Sequence, residues 1–229
     1  MTLPFTIEQF LDVFRRYNEA VWPAQVVLVL LGVAAVVLAA RARPRADRVA
    51  AGILGALWLW TGVAYHLAFF RALTSAAVLF GALCVAQGVL LLRQGAWRGT
   101  LAFRVRADAS GVIGALLALY ALVAYPALGY ALGHRYPAAP TFGAPCPTTI
   151  LTFALLAWSA RPVPWSLLAI PIAWAAVGTS AALRLGMYED LGLTAAALLG
   201  TLAARRAGRR RPDAHMPRAI HATPAGGHP

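Results

Sequence analysis

The sequence has very little charge. Only 12% of its 229 residues are charged, whereas 60% are hydrophobic and the mean hydropathy is +0.67. A soluble globular protein carries about 25% charged residues, so this composition excludes an ordinary soluble domain and indicates a protein of the lipid bilayer. Lysine is absent, and all 20 basic residues are arginine. We attribute the net charge of +12 to arginines that flank membrane helices, and we expect no nucleic-acid partner.

Cysteine and catalytic motifs are also scarce. Cys84 and Cys146 are the two cysteines; they lie far apart and form no C-x-x-C motif, which excludes a disulfide framework. Walker, Rossmann and H-E-x-x-H motifs are absent. Glu8 and Asp12 precede the first arginine, a pattern that does not fit a secretory signal peptide. We therefore expect no cofactor, and the sequence indicates no enzymatic activity.

Long apolar runs dominate what is present. A membrane-spanning helix needs about 20 apolar residues. Five segments reach that length without a charged residue: 21–40, 49–70, 72–92, 109–133 and 162–183. Segments 147–160 and 191–204 are equally apolar but shorter. The pattern predicts an all-α membrane protein, a bundle of seven transmembrane helices.

An amphipathic helix is predicted before the first apolar run, over residues 5–21. Thr6 and Gln9 have the spacing of a capping box, and Phe5 and Phe10 that of a hydrophobic staple. Apolar residues then recur at helical spacing, with charged residues on the opposite side. Such a helix lies in the membrane interface or packs on the rest of the protein, and the sequence leaves both alternatives open.

The distribution of arginine predicts the orientation in the membrane. With seven spans and the N-terminus outside, the cytoplasmic segments hold 15 arginines and the outer segments hold five. This asymmetry follows the positive-inside rule. The five outer ones are Arg15, Arg16, Arg71, Arg135 and Arg184.

The predicted organisation is one membrane domain followed by a tail. Residues 1–204 form the membrane domain, with an interfacial helix over 1–22 and the seven spans over 23–204. Residues 205–229 are rich in Arg, Pro, Gly and Ala without apolar periodicity, so we expect a disordered, basic cytoplasmic tail. Its arginines either contact anionic lipid headgroups or serve only to anchor the topology.

A Pro-rich stretch over 133–150 carries the strongest hint of a site. It precedes one short span, and the other short span also starts from the outer side; helix ends inside the bilayer can form binding sites. Polar residues predicted at that side are candidate site residues, although each also has a plain structural interpretation. They are His66, His134, Cys146, Thr148, Glu189 and Asp190.

Cys146 is predicted to precede a short helix that starts at Pro147. The helix dipole would lower the pKa of a thiol at that position, whereas burial would raise it. With access to water through the Pro-rich stretch, Cys146 would be the more reactive of the two cysteines.

Several short runs resemble a bacterial multi-pass membrane family known as domain of unknown function 6064. The resemblance covers residues 3 to about 204 and leaves out the basic tail. It implies a multi-pass fold in the bacterial cytoplasmic (inner) membrane and supplies no activity. The runs are 3–6 (LPFT), 17–18 (YN), 20–25 (AVWPAQ), 65–66 (YH), 69–70 (FF), 128–134 (LGYALGH), 145–149 (PCPTT) and 189–192 (EDLG).

Three functions are compatible with these features. The first is a small-solute or ion transporter with an outward-facing site around the Pro-rich stretch and Cys146. The second is a metal- or haem-binding membrane protein, with His66, His134 and Cys146 as ligands by residue type. The third is a non-catalytic accessory or sensory membrane subunit.

Overall fold

The computed structural model describes residues 5–206. These residues form helices and no β-strand, which confirms the predicted all-α class. We number the helices α1 to α8. Their bounds are Ile7–Val21 (α1), Ala24–Ala40 (α2), Pro44–Ala72 (α3), Ala76–Trp97 (α4), Ala109–Ala131 (α5), Pro145–Ala157 (α6), Trp165–Leu185 (α7) and residues 192–206 (α8).

Four of these helices, α3, α4, α5 and α7, are long and apolar enough to cross a membrane. A fifth span is counted if α1 and α2, which are bent by 92° relative to each other, form one broken span. The predicted count of seven is therefore not reached by length and composition. The three helices that were predicted as spans but are not counted by length are α2, α6 and α8. Each is shorter than the roughly 20 residues that cross a bilayer.

Two groups of contacts define opposite ends of the bundle. At the first, which we call the loop end, Asn18 of α1 donates a hydrogen bond of 2.6 Å to the Pro137 carbonyl. The Pro-rich stretch and the turn before α8 also meet here, where His134 Nδ1 lies 2.7 Å from Glu189 Oε1. The loop end therefore gathers segments that the sequence placed on the outer side.

The other end, which we call the arginine end, joins three further connections. The Arg104 amide donates to the Trp158 carbonyl at 2.7 Å, and the Ala160 amide donates to Ala102 at 2.7 Å. The end of α8 meets the segment after α6 where Val163 bonds to Ala204. Successive helices from α2 to α8 thus connect the two ends in alternation, including the short ones.

Helix α6 forms the centre of the molecule, because all of its residues are buried. It starts at Pro145, two residues before the predicted Pro147; proline fits the first turn of a helix, where an N–H group has no intrahelical partner. Residues 136–144, just before this helix, form no helix themselves. Trp58 of α3 donates to the Thr152 hydroxyl at 2.9 Å, which ties α6 to its neighbour.

The N-terminal helix packs on the protein. Its predicted capping box is confirmed, with reciprocal bonds between Thr6 and Gln9, and Phe5 stacks on Phe10 at 6.0 Å. Its apolar side is buried through Phe14 and Tyr17, and the Tyr17 hydroxyl accepts a bond of 2.7 Å from the Trp60 indole. Packing on the protein, one of the two alternatives left open by the sequence, is therefore realised.

Glycine allows α3 and α4 to approach closely. A Cβ at Gly62 would lie 2.9 Å from the Gly81 carbonyl, and one at Gly88 would lie 2.8 Å from the Gly55 carbonyl. Such contacts between small residues are typical of helix pairs in membranes, where close backbone approach gives good van der Waals packing.

The described part of the chain ends in helix. The predicted tail was to begin at Arg205, but α8 continues through Arg206. Arg205 donates to the Val163 carbonyl at 3.0 Å and lies over the Trp165 ring, so this arginine packs against the arginine end. The remainder of the predicted tail, 207–229, lies outside the described residues.

Candidate functional site

Two buried carboxylates lie in the turn between α7 and α8. Helix α7 ends at Gly186, whose φ of +71° suits glycine, and a short 3-10 helix, Tyr188–Leu191, follows. Glu189 and Asp190 within it are 0% and 4% exposed. A buried carboxylate is stable only with hydrogen-bond or charge partners, so their surroundings reveal what this turn does.

Glu189 is held against α5. Its Oε1 pairs with His134 Nδ1 at 2.7 Å, and its backbone carbonyl accepts a bond of 2.6 Å from the Tyr120 hydroxyl. A Cβ at Gly129 would lie only 3.3 Å from Oε1, so the glycine makes room for the carboxylate. The second oxygen, Oε2, is buried and has no hydrogen-bond partner among the described residues.

Asp190 faces the other side of the turn. Its Oδ1 accepts a bond of 2.6 Å from the Tyr125 hydroxyl, and the Cys146 thiol is a second neighbour that favours the charged form. This turn lies outside the helices of spanning length. Burial raises the pKa of Asp190 to about 7, against the opposing effect of the Tyr125 hydrogen bond. Asp190 therefore exchanges a proton near neutral pH.

A cavity of about 360 Å³ lies beneath the Pro-rich stretch, and we call it the loop chamber. Its wall is mostly apolar and comes from α2, α5, residues 136–142 and Pro147. His134, Glu189 and Gln25 are among its polar lining residues. The Oε1 of Gln25 is buried and also lacks a partner within residues 5–206. Two of the residues that line this mostly apolar chamber, Gln25 and Glu189, thus carry a buried acceptor oxygen without a partner among residues 5–206.

Asn18 holds the roof of the loop chamber in place. Its amide donates to the Pro137 carbonyl at 2.6 Å and to the Ala139 carbonyl at 2.7 Å. Its Oδ1 accepts from Gln25 at 2.6 Å and from Thr141 at 2.8 Å. The sequence analysis did not identify Asn18 as a candidate site residue. The feature of the sequence that could have indicated it is its position next to Tyr17, on the apolar side of an amphipathic helix that is buried in the structure.

A second cavity of about 250 Å³ lies on the other side of the acidic turn, and we call it the aromatic chamber. Its walls include seven aromatic side chains: Phe5, Phe10, Phe14, Tyr65, Phe70, Phe80 and Trp174. His66, Cys146 and Asp190 contribute polar groups. His66 is 0% exposed. Neither of its ring nitrogens has a partner in the described part of the chain, and the Trp174 indole nitrogen has only the Cys146 thiol beside it.

The six candidate residues therefore divide between two chambers. His66, Cys146 and Asp190 line the aromatic chamber, whereas His134 and Glu189 line the loop chamber. Thr148 is buried in the first turns of α6, and its hydroxyl is unpaired among residues 5–206. The acidic turn and the first turn of α6 both border the two chambers, since Pro147 lines the loop chamber and Cys146 the aromatic chamber.

The residues proposed as metal ligands are not gathered at one point. His66 and His134 line different chambers. Across residues 5–206, no three His, Cys, Asp or Glu side chains form a group that could hold a metal ion. The metal- or haem-binding hypothesis gains no support from this arrangement.

The predicted water access of Cys146 is wrong. The thiol lies in the first turn of α6, and the residue is 9% exposed. Helix α7 covers it, since a Cβ at Gly178 would lie 3.8 Å from the sulfur. Burial opposes formation of the thiolate, so the expected reactivity loses its basis. Cys84, in α4, is buried as well.

Comparison with known proteins gives a family without an assigned activity. No curated protein and no solved structure matches the chain. The profile of a family of unknown function (DUF6064) matches residues 7–214, a range that includes the loop chamber, the Pro-rich stretch, the acidic turn and all of the aromatic chamber except Phe5. The chain belongs to this family.

Proposed function

We propose that this chain is an integral protein of the bacterial cytoplasmic membrane that crosses it seven times, through α2 to α8, with the N-terminus outside. The arginine asymmetry and the alternation of connections between two ends support this topology. The shortness of α6 is compatible with it, because protein surrounds this helix on all sides and its ends need not meet lipid headgroups. The arginine end would then face anionic lipid headgroups of the inner leaflet.

Reporter fusions test this topology pass by pass. Alkaline phosphatase, which is active only outside the cytoplasm, is expected to be active when fused after Arg135 or Gly186. It is expected to be inactive after Arg161 or Pro229, where a fluorescent protein should instead fold. An active phosphatase after Pro229, or equal activity after Arg135 and Arg161, would overturn the seven-pass arrangement. The lipid contact predicts that omitting anionic lipid on reconstitution lowers the thermal stability.

We further propose that the loop chamber binds a small solute with an amino group and an apolar body. The observation that carries this proposal is that two of its lining residues each have a buried oxygen without a partner in the described part of the chain, Glu189 Oε2 and Gln25 Oε1. Carboxylate and amide oxygens are acceptors only, and an acceptor buried without a partner costs about 1–3 kcal/mol. A solute that donates hydrogen bonds to them recovers this free energy.

The other lining residues of the loop chamber indicate which charge, polarity and size the solute should have. An ammonium group supplies up to three donors and a charge opposite to that of a carboxylate. The surrounding surface is apolar and includes Trp22 and Phe142, and aromatic faces attract cations. A cavity of about 360 Å³ is within the usual range for small-molecule sites, so an arylalkylamine matches the chamber in both polarity and size.

Phenethylamine tests this proposal on the purified protein in detergent. We expect saturable binding by calorimetry that weakens about 10- to 100-fold in Glu189→Gln, the effect of losing a hydrogen bond to a charged group. The exposed Glu8→Gln variant removes the same charge outside the chamber and should bind normally. Phenylacetate, with the opposite charge, should not bind. Equal affinity of Glu189→Gln and the parent protein would refute the assignment.

Transport of the same class of solute is the second candidate function. It is favoured by the short helices α6 and α8, which both begin at the loop end beside the chambers. Discontinuous or short helices that start at a binding site are a feature of transporters. Uptake of radiolabelled phenethylamine into proteoliposomes that is lost in Glu189→Gln would separate transport from binding alone. Binding without uptake would favour the accessory or sensory subunit.

A further inference from the structure

The aromatic chamber has unused hydrogen-bond donors in an otherwise apolar wall. A neutral imidazole carries one N–H donor and one acceptor nitrogen, and an indole carries one N–H donor. The rings of His66 and Trp174 lie 5.0 Å apart between centroids. Both ring nitrogens of His66 lack partners among the described residues, and the Trp174 indole nitrogen has only the Cys146 thiol, a weak acceptor, beside it. A buried donor without an acceptor is costly, so the chamber is complementary to a molecule with a strong acceptor.

The shape and composition of the walls favour a flat ring. Phe70 and Phe80 approach His66 edge-on, with centroids 5.7 and 5.8 Å from its ring, and Phe80 meets Trp174 at 5.4 Å. Aromatic side chains favour stacked or edge-to-face contact with another ring. A volume of about 250 Å³ suits a ring system of one or two fused rings and excludes a macrocycle such as haem.

The exposed part of the lining lies on two helices of spanning length. Ala76 at the start of α4 and Val177 and Ser180 on α7 are exposed and line the chamber. In the proposed topology this opening faces lipid near the outer leaflet. A ligand that enters here is therefore dissolved in the membrane, which favours a ring with an apolar tail over a water-soluble solute.

We propose that the aromatic chamber binds the head ring of a lipid-soluble quinone, whose carbonyl oxygen accepts hydrogen bonds from His66 and Trp174. A carbonyl oxygen has two lone pairs and no donor, which matches two N–H donors on neighbouring rings. The flat ring contacts the phenylalanine side chains, and the apolar tail leaves between α4 and α7. This site is separate from the loop chamber and does not depend on amine binding there.

The test uses the purified full-length chain and a matched pair of ligands. The quinone probe is 2,3-dimethyl-1,4-naphthoquinone, whose substituted ring cannot add the thiol of Cys146. Its partner is 2,3-dimethylnaphthalene, which has the same ring system without the carbonyl groups. We expect the quinone to bind at one site at least tenfold more tightly than the hydrocarbon, the effect of one net hydrogen bond at the upper end of its usual range.

Two variants assign the binding to the chamber. His66→Phe and Trp174→Phe keep an aromatic ring and remove the donors, and each is expected to weaken quinone binding about tenfold without changing hydrocarbon binding. Trp165→Phe, at the arginine end, should bind both ligands normally. Equal affinity for the two ligands in the parent protein would overturn the proposal, even if a variant failed to fold. Unchanged quinone affinity in a folded His66→Phe would do the same.

Discussion

Replacing Asn18 with alanine is expected to detach the Pro-rich stretch from α1 and to lower the stability of the protein by at least about 3 kcal/mol. Asn18 makes four hydrogen bonds, two to loop carbonyls and two from the side chains of Gln25 and Thr141. Alanine removes all four of these hydrogen bonds, and because Asn18 is 0% exposed, its partners are left in a buried place. Each buried group left unpaired costs about 1–3 kcal/mol, so even partial hydration leaves a large loss.

The loss should be local as well as global. Arg135 stands at the start of the Pro-rich stretch, so the rate of trypsin cleavage after it reports how often this loop opens. We expect Asn18→Ala to accelerate that cleavage and to lower the melting temperature in detergent. Glu19→Ala, an exposed neighbour on the same helix, should change neither. A variant that melts and is cleaved like the parent protein would show that the Asn18 network does not hold the loop.

The largest pH effect is expected from Asp190. Its pKa in the folded protein is raised to about 7 from 3.8, chiefly by burial. At a pH between 3.8 and about 7, Asp190 is deprotonated in the unfolded chain and protonated in the folded protein. The free energy of unfolding therefore falls as the pH rises through this range. A difference of about three units corresponds to roughly 4 kcal/mol lost between pH 4 and pH 7. Asp190→Asn, which still accepts from the Tyr125 hydroxyl, should remove this dependence.

Chemical unfolding in detergent at a series of pH values measures this contribution as a difference between parent and variant. The partly exposed Asp12 is a control of opposite sign, because its hydrogen bond with Arg16 lowers its pKa. Asp12→Asn should therefore lose stability mainly above the unfolded pKa of this group. If the stability difference between Asp190→Asn and the parent protein were independent of pH from 4 to 7, Asp190 would have no raised pKa.

The sequence by itself determined the features that depend on local pattern. Low charge and long apolar runs predict a helical protein with membrane-spanning segments, and Thr6 with Gln9 predicts the start of α1. The non-helical segment 136–144 follows from its prolines, which lack an N–H and restrict the preceding residue. The same local rule placed the start of α6 two residues late, because Pro145 and Pro147 fit a first helical turn equally well.

Only the tertiary structure decided which polar residues meet. Arginine counting brought His66, His134, Cys146 and the acidic turn to one side of the membrane, but it carries no information about rotation of a helix around its axis. That rotation pairs Glu189 with His134 across 55 positions of sequence and turns Asp190 toward Tyr125 and Cys146. It is set by close packing between distant helices, such as the contact of Gly129 with Glu189. For this reason the single predicted site became two chambers on opposite sides of one turn.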